Sequence, residues 1–103
     1  MDAEARLLEA LREVQDPEMP VSIVDLGMVY GIRHHGRRVE VDLTFTAMGC
    51  PAADLILEDV RERLLREPDV DEVAVEVVWD PPWTAARLSP AGREALRMWG
   101  LAI

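Results

Sequence analysis

The sequence predicts a two-layer α+β domain: a small, mixed three-stranded sheet with helices packed on it, in the order α-β-β-α-β-α. Three observations carry this. Apolar residues recur at helical spacing near the N-terminus, after residue 53 and near the C-terminus, whereas Val39, Val41, Leu43 and Phe45, and later Val73, Val75, Val77 and Trp79, alternate with polar residues at strand spacing. Prolines and glycines fall between these blocks and punctuate them. At 103 residues the chain is long enough for one core and too short for two, so residues 1–103 form a single domain.

The elements follow in chain order. Leu7, Leu8, Leu11 and Val14 mark an amphipathic helix from about Asp2 to Gln15, with Asp2 and Glu4 near its positive end. Pro17 and Pro20 stop it, and DPEMPVSIVDLG, residues 16–27, forms an ordered, irregular connection. Residues 28–33 and 38–46 are extended and joined through HHGR as a hairpin with Gly36 at its turn, which places His34 and His35 at a solvated tip. Ala53, Leu57 (or Ile56), Val60 and Leu64 define the second helix, ending near Glu67 before Pro68. Residues 73–79 make the third strand, and DPPWT, residues 80–84, breaks it. The last helix has Ser89 as N-cap and Pro90 in its first position, with Leu96 and Trp99 its final apolar residues and Gly100 beyond them. The pattern leaves open which strand the third one joins.

Composition excludes whole classes of function. The net charge of −9 and the absence of any Lys/Arg patch argue against nucleic acid and anionic membranes as partners. All eleven basic residues are Arg; with no Lys in the chain, Schiff-base chemistry and a P-loop lysine are excluded. One cysteine makes no internal disulfide, and the charged N-terminus carries no long apolar stretch, so the expected location is the reducing cytoplasm. Ser22 or Ser89 paired with a histidine lacks the Gly-x-Ser-x-Gly context of a hydrolase.

The stretch TFTAMGCPAADLI holds that cysteine, Cys50. With Cys50 as N-cap and Pro51 in the first helical position, free backbone N–H groups at Ala52 and Ala53 stand beside the sulfur, a setting that favours the thiolate; Asp54, one turn in, opposes it. A lone cysteine is equally a small hydrophobe suited to a core. One sulfur cannot close a tetrahedral metal or cluster site, which takes about four ligands. Any metal at Cys50 is therefore shared with another molecule. Asp25 reads first as a turn former before Gly27, and Trp83 as a cap on the core or, if exposed, an anchor for a partner protein.

Three separated segments, DPEMPVSIVDLGMVYGI, TFTAMGCPAADLI and DPPWTAARLSPAGREAL, resemble the family once called domain of unknown function 59, the small iron-sulfur assembly domains that include SufT and PaaD proteins and a subunit of the eukaryotic cytosolic targeting complex. The resemblance implies an iron-sulfur assembly-type fold and a non-enzymatic factor that helps build or deliver clusters to apo-proteins. Its functional thiol is Cys50, a cluster ligand shared transiently with a partner or a second copy of the chain. It also implies supporting or partner-surface roles for Asp16, Glu18, Asp25, Thr44, Thr46, Pro82, Trp83 and Thr84. Client apo-proteins and other assembly factors are the expected partners, and a homodimer is compatible. PaaD proteins usually add a cysteine-rich C-terminal segment that does not follow here, and the paired cysteines of NifU-type scaffolds are absent, so neither a dedicated phenylacetate role nor an autonomous scaffold is expected. The alternative is an adaptor that binds apo-clients through DPPWT without ligating iron. A thiol enzyme ranks last, because no histidine is placed to serve Cys50 as a base.

Overall fold

The computed structural model describes residues 2–16, 21–45, 53–98 and 100. Helix α1 (Ala3–Leu11) is followed by strands β1 (Val29–His35) and β2 (Arg38–Leu43), helix α2 (Ala53–Leu65), strand β3 (Glu72–Val77), a short 3-10 turn at Ala85–Arg87 and helix α3 (Pro90–Met98). The expected element order and fold class hold. β2 is the central strand: it pairs antiparallel with β1 and parallel with β3, which resolves the strand order that the pattern left open.

Helices α1 and α2 cover one face of the sheet, α1 over β1 and α2 over β3. Val39, Val41 and Leu43 point to that face and are fully buried, and Val73, Val75 and Val77 stand opposite them in register. Ile56, Val60 and Leu64 of α2, spaced at three turns of one helix face, are fully buried against them. Each such side chain contributes about 1.5–3 kcal/mol of apolar transfer. The other sheet face is charged: Arg33 grips Asp42 through two hydrogen bonds of 2.9 and 3.0 Å, and Arg38 bonds Glu72 at 2.6 Å.

Several boundaries differ from those expected. Helix α1 ends at Leu11 instead of near Gln15, because Glu13 and Val14 bond back three residues and Gln15 turns to pair with Ser22. The 21–27 turn is more buried than an irregular connection suggests: Val21, Ile23 and Leu26 are all buried. β1 runs on to His35, which stays exposed beside the turn made by Gly36 and Arg37, but His34 is not at a solvated tip. His34 faces the core side opposite Val39, its side chain only 14% exposed beside Asp69. β2 stops at Leu43, though Thr44 and Phe45 continue buried beyond it. β3 stops at Val77, and Trp79, expected within it, stands outside and 45% exposed. Finally, α3 does not lie on the sheet. It seats on the 21–27 turn: Gly92 comes so close to the Asp25 carbonyl that a Cβ would sit 2.6 Å from its oxygen.

Candidate functional site

Cys50, Glu18 and Thr46 lie outside the described residues, as do Pro51 and Trp99. The chain on either side places the Cys50 segment between the end of β2 and the start of α2. Its upstream anchor is Thr44-Phe45. The Thr44 amide donates to the Met28 carbonyl at 2.8 Å, and the Phe45 ring packs 6.0 Å from the ring of Trp79. Its downstream anchor is Ala53, packed against the core at the start of α2. The Thr44 side chain is unusual. It is fully buried, and its hydroxyl oxygen has no hydrogen-bond partner among the described residues. A buried, unsatisfied hydroxyl costs about 1–3 kcal/mol and calls for a reason.

The other expected site residues gather into a second constellation. Asp25 does not form the local turn; that is the work of Ser22, whose Oγ accepts from the amides of Val24 and Asp25 at 3.2 and 3.1 Å. The Asp25 carboxylate instead reaches across the molecule, accepting from Ser89 Oγ and from Arg12 Nη1, both at 2.7 Å. Ser89 in turn caps α3, its Oγ accepting from the Gly92 amide at 3.0 Å and its own amide donating to the Asp25 carbonyl. Next in the chain, the Leu26 carbonyl accepts from Trp83 Nε1 at 2.6 Å. Gly27, at φ 75°, has Arg87 so near that a Cβ would lie 2.3 Å from its carbonyl oxygen. The Asp-Leu-Gly and Pro-Pro-Trp-Thr segments are thus two sides of one clamp, in which Trp83 is half-buried against the core while Pro82 and Thr84 remain exposed. Asp16 is buried, 5% exposed, with its amide bonded to the Val21 carbonyl.

Residues that the pattern did not single out complete this end of the molecule. A register shift in β1 at Tyr30 lets its hydroxyl donate to the Pro81 carbonyl at 2.8 Å, and Arg87 stacks 4.3 Å over the Tyr30 ring. Only the tyrosine beside Gly31 hinted at a bulge. The Asp25–Ser89 bond joins residues 64 positions apart and leaves no local signal. Among the described residues, no group of three or more His, Cys, Asp or Glu side chains stands close enough to hold a metal ion. No helix among them is long and apolar enough to cross a membrane.

Comparison with known proteins identifies the family and the fold. Residues 4–77 match the family described as "Iron-sulfur cluster assembly protein". The Fe-S protein maturation auxiliary factor YitW of Bacillus subtilis is 38% identical over 91 residues, covering 87% of this chain and 89% of that protein. The auxiliary factor SufT of Staphylococcus aureus is 39% identical over 84 residues, covering 81% and 96%. The crystal structure of a domain of unknown function DUF59 from Bacillus anthracis superposes with a TM-score of 0.87 at 39% identity, covering 92% of each chain.

Proposed function

The chain belongs to the iron-sulfur cluster assembly protein family, and from that premise we propose that it is a cytoplasmic, non-catalytic maturation factor that carries a cluster through Cys50 to apo-proteins. The observation that carries the reading is the buried hydroxyl of Thr44, without a partner among the described residues, at the root of the segment holding the chain's only thiol. A hydroxyl in that place has a donor to offer to a group that no described residue supplies.

Cys50 provides one sulfur, so the remaining ligands come from a client, an assembly factor, a small thiol or a second copy. Thr44 and Thr46 have supporting roles, Thr44 from within the core. Asp16 and Glu18 have supporting roles as well, while Asp25, Pro82, Trp83 and Thr84 hold or present the clamp. The cluster is cargo in this scheme: the chain holds it, shields it and hands it on, and no bond in a substrate is made or broken.

Anaerobic reconstitution with iron and sulfide tests this. The parent should gain visible absorbance and pass the cluster to an apo-acceptor, and Cys50→Ser should do neither. Equal absorbance and transfer by both proteins overturn the role of Cys50. The adaptor reading, in which clients are bound without iron, expects no absorbance from either.

A further inference from the structure

The sheet has two edges, and they are treated differently. At β1 the helix α1 stands guard, and Glu4 accepts from the His34 amide at 3.2 Å. β3 has no such neighbour among the described residues. The amides of Glu72 and Val78 donate inward, to the carbonyls of Arg37 and Leu43. By the two-residue alternation of a strand, the N–H and C=O groups of Val73, Val75 and Val77 therefore face away from β2.

A groove on one flank of α2 lies toward this edge. Asp54, Leu57, Glu58 and Arg61, one flank of α2, line a depression of about 340 Å³. The opposite flank of α2 faces α1, where Arg63 meets Glu13 at 2.8 Å. Because α1 lies over β1 and α2 over β3, the Leu57 flank points past β3, above its free edge. Val75 and Val77 are half-buried on that same face of the sheet.

We propose that this groove binds an extended segment of another protein as a fourth strand on β3, with basic and apolar residues alternating along it. The valine face and Leu57 suit its apolar side chains. Its Lys or Arg side chains fall on the opposite face, where Glu76 is exposed and has no ion-pair partner among the described residues. A second copy of the chain is the wrong occupant: β3 reads EVAVEV, without a basic side chain, and a β3–β3 pairing sets acid against acid between chains of charge −9. That the segment belongs to a client or assembly factor rests on the function proposed above; the groove itself does not.

A synthetic peptide of alternating valine and lysine, titrated into the ¹⁵N-labelled chain, tests the groove, with an alternating valine-glutamate peptide as control. The lysine peptide should shift the amide signals of Val73, Val75, Val77 and Leu57 saturably and slow hydrogen exchange at the three valines. Val75→Pro removes an outward N–H and should weaken binding about tenfold. Glu76→Lys, on the face opposite the valines, should weaken it similarly while leaving every strand N–H in place. Cys50→Ser should bind as the parent does, even if cluster loading fails. Equal binding of both peptides, shifts confined to other surfaces, or parent-like binding by both variants overturns the proposal, as does concentration-dependent dimerisation abolished by Val75→Pro.

Discussion

The two ends of the sheet are held together by different physics. At the hairpin end, the closures are ionic: Arg6 grips Glu67 and Asp69, Arg37 grips Asp71, and Arg63 reaches both Glu13 and Glu67. At the opposite end, where the Cys50 segment begins and ends, the closures are mostly neutral and steric. Trp83 bonds Leu26, Ser89 bonds the Asp25 backbone, Tyr30 bonds Pro81, and two glycines admit backbone contacts that no side chain would fit. The acids nearest that end, Asp54, Glu58 and Asp80, stay exposed without an ion-pair partner among the described residues, and so do the apolar side chains of Leu55 and Trp79. One end spends its charges on itself. The other is locked by shape and leaves its charges and aromatic surface for other molecules.

If shape locks that end, adding volume there should do the most damage. Gly27→Ala places a methyl against the Arg87 carbonyl and forces an alanine into a left-handed backbone, and the expected loss is about 3 kcal/mol of stability in urea denaturation. A loss below about 1 kcal/mol would mean that the C-terminal segment can lift away and that the clamp is looser than its distances.

Thr44 sharpens the contrast from the other side. Thr44→Val keeps the shape and removes the orphaned hydroxyl, so stability should rise by about 1 kcal/mol in the same assay, while cluster loading on Cys50 falls. Stability gained together with function lost would identify the hydroxyl as retained for its ligand. A drop in stability would show that it has a structural partner instead.

Much of this was legible in the sequence, for reasons that particular residues make plain. Alternation at Val39, Val41 and Leu43 and the cap at Ser89 are local signals, and each predicted its element. Trp83 was readable as a core cap because an indole beside a sheet has a large apolar face to bury. What failed was nonlocal. His34 looked like part of a turn because the residues that bury it lie near positions 4 and 69, and nothing in HHGR reports them. Asp25 looked like a turn former because Asp commonly is one; its true partner is 64 residues away. The three family segments were visible as motifs, but not that two of them, Asp-Leu-Gly and Pro-Pro-Trp-Thr, form one contact.

Acid separates the two ends more gently. Asp69, Asp71 and Glu13 are each held below the usual carboxylate range, chiefly by side-chain hydrogen bonds from Arg6, Arg37 and Arg63 respectively. A carboxyl whose folded pKa is depressed binds its proton more readily in the unfolded chain, so its stabilisation is complete above the unfolded value, near 3.9 for Asp and 4.3 for Glu, and is lost as pH falls through the folded value. Protonation therefore undoes the hairpin end, whereas the Trp83–Leu26 bond, the Ser89–Asp25 backbone bond and the glycine contacts contain no titratable member. Between pH 6 and about pH 3, hydrogen-exchange protection should decline at Arg37, Asp71 and Glu72 before it declines at Leu26, Gly27 and Ser89. The opposite order would mean that the clamp depends on the Arg12–Asp25 ion pair more than on its shape.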